Sequence, residues 1–114
     1  MPKEPKTIAY NVVLNSQSLE ALEGLMEHYR ASQAWAVSWA VRCLQAALEE
    51  QDAVPEAPKG RNVRGITIRL SQGTLDLIRA LAEETPLRKQ ARAVKAALVW
   101  TWQRVLEKHR VPTP

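Results

Sequence analysis

Ile8-Ala9-Tyr10-Asn11-Val12-Val13-Leu14-Asn15-Ser16-Gln17-Ser18-Leu19 aligns without a gap on Arg64-Gly65-Ile66-Thr67-Ile68-Arg69-Leu70-Ser71-Gln72-Gly73-Thr74-Leu75, 56 residues further along the chain. In the first copy Tyr10, Val12 and Leu14 alternate with Ala9, Asn11 and Val13; in the second Ile66, Ile68 and Leu70 alternate with Gly65, Thr67 and Arg69. A period of two belongs to a strand with one buried face. A strand this short is not stable alone, so the two copies are expected to pair with each other.

Working outward from each strand, the period changes to that of a helix. Asn15 stands where a helix N-cap is expected, and Leu19, Leu22, Leu25, Met26 and Tyr29 follow at spacings of three and four. Ser32 offers a second cap, after which Val37, Ala40, Val41, Leu44 and Leu48 mark the buried face of a second helix reaching about Glu49. The other half repeats the scheme, with Ser71 as cap and Leu75, Ile78, Leu81 and Ala82 as the stripe. Val94, Ala97, Leu98 and Val105 then match Val37, Ala40, Val41 and Leu48 at an offset of 57. One residue is thus inserted between the helices, and the pattern places the start of the fourth at Pro86 or nearer Arg88.

These spacings predict a mainly helical protein with a two-stranded antiparallel ribbon, in the order β-α-α-linker-β-α-α. The whole chain of 114 residues is expected to form a single domain, with repeat one over 7–50, a linker over 51–62 and repeat two over 63–110. The linker carries Pro55, Pro58 and Gly60; its 12 residues can span at most about 40 Å. The tail Val111-Pro112-Thr113-Pro114 is expected to be disordered.

The net charge of +4 hides a division. Residues 1–56 hold 4 Lys and Arg against 8 Asp and Glu; residues 57–114 hold 12 against 4. The halves are therefore −4 and +8, and the second is the one suited to a polyanion. Several function classes are disfavoured. Cys43 is single, which excludes an internal disulfide and a thiolate-rich metal site. His28 and His109 have no ligand-spaced neighbours, and Gly24, Gly60, Gly65 and Gly73 are isolated rather than forming a phosphate loop. No catalytic, metal or cofactor site is expected. No apolar run has membrane-spanning length and the N-terminus leads into no apolar signal core, so a cytoplasmic, nucleoid-associated protein is expected.

A strand of about seven residues, a capped helix and a second helix with an apolar-x-x-Ala-apolar core resembles the ribbon-helix-helix family of Arc/MetJ type. Residues 8–49 and 64–108 each resemble one unit, so the likeness covers most of the chain. Members of that family are normally homodimers whose paired strands enter the DNA major groove; the resemblance implies a dimer fused into one polypeptide. It further implies a sequence-selective DNA-binding protein acting as a transcriptional repressor, with double-stranded DNA as its partner. On the outward ribbon face, Asn11, Val13, Thr67 and Arg69, together with Ala9 and Gly65, take the base-reading positions. Arg can bond guanine bidentately, Asn adenine, Thr either class, and Val13 can touch a thymine methyl. Ala9 and Gly65 depart from the family's long polar residues and leave a thinner reading surface.

The family also holds phosphates at the N-terminus of the second helix, where free amides and the helix dipole favour an anion. The matching residues here are Arg88, Lys89 and Arg92 in repeat two, with Arg61 and Arg64 ahead of the strand, and Ser32 and Gln33 in repeat one. Since repeat one supplies amides but no cations there, a lopsided footprint on an asymmetric operator is expected. Four Trp and no Phe form an unusual aromatic set. Trp35 and Trp39 fall opposite the core stripe and are expected to form a face for a second copy or another protein; Trp100 and Trp102 are expected to pack within the helices. The competing function is accordingly a protein-interaction module, antitoxin-like or an assembly adaptor, on the same scaffold.

Overall fold

The computed structural model describes residues 6–50 and 55–107. Residues 1–5, linker residues 51–54 and the tail from 108 onward lie outside it, and with them the expectations for the N-terminus, His109 and Val111–Pro114. Six elements follow in chain order: β1 (Thr7–Asn15), α1 (Ser16–Tyr29), α2 (Gln33–Glu50), β2 (Asn62–Ser71), α3 (Gln72–Glu83) and α4 (Gln90–Leu106). The fold is mainly helical with a two-stranded antiparallel sheet, in the order β-α-α-β-α-α. No helix among the described residues is long and apolar enough to cross a membrane.

The ribbon registers as strand alternation requires. Asn11 pairs with Thr67, its own counterpart in the repeat. On one side Ala9 opposes Arg69; on the other Val13 opposes Gly65, and these four are likewise counterparts of one another. The pairing is therefore symmetrical about its centre until Leu14/Asn15, where the register shifts and Val63 is left unpaired. Val12, Leu14, Ile66, Ile68 and Leu70 are buried on the inner face, with Tyr10 half-buried beside them. Ala9, Asn11, Val13, Gly65, Thr67 and Arg69 are all exposed.

Caps start the first three helices. Asn15 Oδ1 accepts from Ser18 N at 2.9 Å and the Asn15 backbone N–H donates back to Ser18 Oγ at 3.0 Å, a reciprocal cap. Ser71 Oγ accepts from Thr74 N at 3.2 Å, and Ser32 Oγ from Trp35 N at 3.1 Å. The fourth helix departs from expectation. It begins at Gln90, not at Pro86 or Arg88, and its cap residue Lys89 makes no side-chain cap bond. The cause is Leu87, which turns into the core, while Thr85 Oγ1 donates to Leu81 O and accepts from Leu87 N. Arg88 is then forced into the left-handed region with φ of 66°. A second correction concerns the linker, which ends at Arg61 because Asn62 already belongs to β2.

The helices interlock across the repeat. The most extensive helix contact is between α2 and α4, and α1 lies against α4 more than against α2. Leu22, Leu25, Val37, Val41, Leu44, Ile78, Val94 and Leu98 are fully buried between them. Each such side chain contributes about 1.5–3 kcal/mol by leaving water. Gly24 allows the closest approach: a Cβ built there would fall within 2.7 Å of the Trp102 indole of α4. Trp100 and Trp102 pack against the core edge, half-buried.

Candidate nucleic-acid interface

The outer ribbon face is short and ordered by its own side chains. At its centre Thr67 Oγ1 donates to Asn11 Oδ1 at 2.6 Å, across the symmetrical pair. Toward one end Arg69 lies along the strand, with Nε donating to Thr7 Oγ1 at 2.9 Å and Nη2 to Thr7 O at 2.7 Å. Toward the other end the surface is apolar: Val13 is 45% exposed, Val63 56%, and Gly65 adds no side chain.

The ribbon is tied to the helix starts beside it. Tyr10 Oη donates to Gln90 Oε1 at 3.1 Å, linking β1 to the first residue of α4. Burial raises the Tyr10 phenol above its ordinary pKa of 10.0, so it remains a protonated donor at neutral pH. Gln90 stands 57 residues after Gln33, so both second helices open on the same residue type. Ser32 and Gln33 lie at the start of α2, the first exposed and the second half-buried. Arg88, Lys89 and Arg92 are exposed around the start of α4, and Arg61 and Arg64 are exposed where β2 begins. Among the described residues none of these five cations forms an ion pair; the one recorded is Arg104 with Glu107 at 3.4 Å. They are exposed cations without a short-range carboxylate partner among the described residues, and the uncapped amides of α4 lie beside three of them.

Sequence reasoning missed a cation in the first half. Arg30 closes α1 in the left-handed region with φ of 51°, exposed and two residues ahead of the α2 cap. Each interhelical connection thus contains an exposed left-handed arginine, a conformation costing about 1–2 kcal/mol for a residue with a Cβ. No local pattern announces it. Lys95 was missed as well: on α4 it is buried, donates to Asn62 Oδ1 at 3.0 Å, and has its pKa lowered by burial and by Arg92. It lines an open cleft of about 590 Å³ between the linker segment Pro55–Gly60 and α4.

The tryptophans divide differently from expectation. Trp35 is 41% exposed, but Trp39 is half-buried, its ring stacked on Trp35 at 5.4 Å and 10°. Tyr29 closes the cluster at 5.3 Å from Trp35 and 6.0 Å from Trp39, so much of the indole surface is covered from within. Cys43 is fully buried, and burial pushes its thiol up to about 12, which suits a packed side chain rather than a nucleophile.

Comparison of the chain with protein-family models, with curated proteins and with solved structures finds no match in any of the three.

Proposed function

We propose that the chain is a fused pseudo-dimer of two ribbon-helix-helix units, and that it binds double-stranded DNA sequence-selectively by inserting its ribbon into the major groove, as a transcriptional repressor does. The observation that carries this reading is the register: Asn11 opposes its own counterpart Thr67, and the six outward positions about that centre are exposed. A symmetrical antiparallel ribbon with one free face matches the width and pseudo-symmetry of the groove. Asn11, Thr67 and Arg69 present the donors and acceptors, with Val13, Ala9 and Gly65 setting how closely the ribbon approaches. Arg61, Arg64, Arg88, Lys89 and Arg92 grip phosphates in the second half, and Ser32, Gln33 and Arg30 do so in the first. Fusion gives the second unit an effective concentration of about millimolar, so pairing no longer depends on protein concentration.

The test is selection of fragmented genomic DNA by the purified protein at about 150 mM salt, where non-specific phosphate contacts are already weakened. Enrichment of one or a few sites is expected. Recovery no better than from a scrambled pool transfers the function to the second reading, a protein-interaction module docking through Trp35. That reading is favoured by the aromatic cluster of Trp35, Trp39 and Tyr29, whose outer ring is left to solvent.

A further inference from the structure

We propose that the two ends of the ribbon read different bases, so that the operator has a direction: guanine beneath the Arg69 end, thymine methyl groups beneath the Val13 end. This rests on the groove reading above and adds to it the chemistry of each half-site. Comparing counterpart positions makes the case. One end presents Thr7, Ala9 and Arg69; the corresponding residues at the other are Val63, Gly65 and Val13. A hydroxyl and a guanidinium are replaced by two isopropyl groups on an otherwise symmetrical frame.

At the polar end Arg69 is already held. Its Nε and one Nη2 hydrogen are bonded to Thr7 Oγ1 and O. A guanidinium has five N–H groups, so three remain, on Nη1 and Nη2, enough to engage O6 and N7 of one guanine. Thr7 is a positioning residue: it fixes one edge of the fork so that less freedom is lost when the other edge meets a base. At the opposite end the three counterpart positions, Val63, Gly65 and Val13, offer no side-chain donor or acceptor, and the neighbouring Arg61 and Arg64 are the ones assigned to phosphates. Val13 and Val63 are 45% and 56% exposed, and a Cβ on Gly65 would sit 3.7 Å from Val13 Cγ1, against the methyl that glycine leaves uncovered. Thymine is the one base that presents a methyl group in the major groove. The unpaired Val63 adds a further asymmetry, since the ribbon is bulged at this end alone.

The experiment uses the full chain and duplexes with a randomised core, selected at about 150 mM salt, followed by affinity measurements on the selected duplex carrying base analogues. The expected site has guanine in one half and thymine at the mirrored positions of the other. Replacing that G·C pair by A·T weakens binding roughly 5- to 150-fold. Substituting uracil for each contacted thymine, which removes only the methyl, weakens it about 4-fold. Thr7→Val lowers the guanine preference but leaves the thymine-to-uracil ratio and the melting midpoint unchanged, and Thr7→Ser restores the preference. A selected site with the same bases in both halves, or indifference to uracil, overturns the assignment while leaving the groove reading intact. Failure to select any sequence overturns both.

Discussion

Gly24→Ala tests whether the two halves of the chain are locked into one body. In an exposed helix interior, replacing Gly by Ala stabilises by about 0.8–1 kcal/mol. Here the added methyl would lie within 2.7 Å of Trp102 Cη2 and closer still to Cζ2 and Cε2, so the indole must shift. Overpacking of that kind costs about 1–3 kcal/mol. The net result is a destabilisation of up to about 2 kcal/mol, read as a lower urea midpoint at unchanged slope. Gly73→Ala is the internal reference: its Cβ meets only Ser71 Oγ at 3.9 Å, so the substitution should stabilise by a few tenths to about 1 kcal/mol. In a Trp102→Leu background Gly24→Ala should recover its helix-propensity gain, giving a coupling of about 1–3 kcal/mol between residues 78 positions apart. If Gly24→Ala stabilises as Gly73→Ala does in both backgrounds, α4 does not close on α1 and the interlocked account is wrong.

Asn15 does two jobs, capping α1 and donating through Nδ2 to the linker carbonyls of Pro58 at 3.2 Å and Lys59 at 3.4 Å. Asn15→Ser should keep the cap, as Ser71 does, and lose about 1 kcal/mol from the linker contacts, whereas Asn15→Ala should lose about 2 kcal/mol or more by chemical denaturation. Because the folded-state pKa of Cys43 is raised from 9.0 to about 12, the folded protein holds its proton longer than the unfolded chain. Stability should therefore fall between about pH 9 and 12 in the wild type and fall less in Cys43→Ala, and alkylation at pH 8 should require unfolding. Trp35→Ala should leave the base preference unchanged, since Trp35 is not one of the outward residues of the ribbon; size-exclusion and pull-down measurements on the same variant report whether that ring serves a partner.

The strands, three caps and four apolar stripes were readable because each depends on neighbours within one or two turns. Alternation alone separates Tyr10, Val12 and Leu14 from Asn11 and Val13, and the structure divides them along that line. What escaped depends on contacts distant in sequence. The start of α4 was misplaced because proline normally opens a helix, while here Leu87 is drawn into the core and the helix waits until Gln90. Gly24 looked isolated because its partner Trp102 lies at the other end of the chain. The same holds for Tyr10 with Gln90 and for Arg69 with Thr7, which join counterpart halves. Trp39 fell opposite the core stripe on the helical wheel, but besides stacking on Trp35 of its own helix it meets Tyr29 of α1, a contact that no single-helix projection includes.

The central claim is that the exposed ribbon face reads bases, and the most direct measurement compares wild type and Arg69→Ala on a selected duplex and on a scrambled one at the same salt. Base reading predicts a loss of about 1–3 kcal/mol on the selected duplex, relaxed preference at one position and little change on the scrambled duplex. Equal losses on both would make Arg69 a phosphate contact, and an unchanged preference would remove Arg69 from base reading and contradict the account.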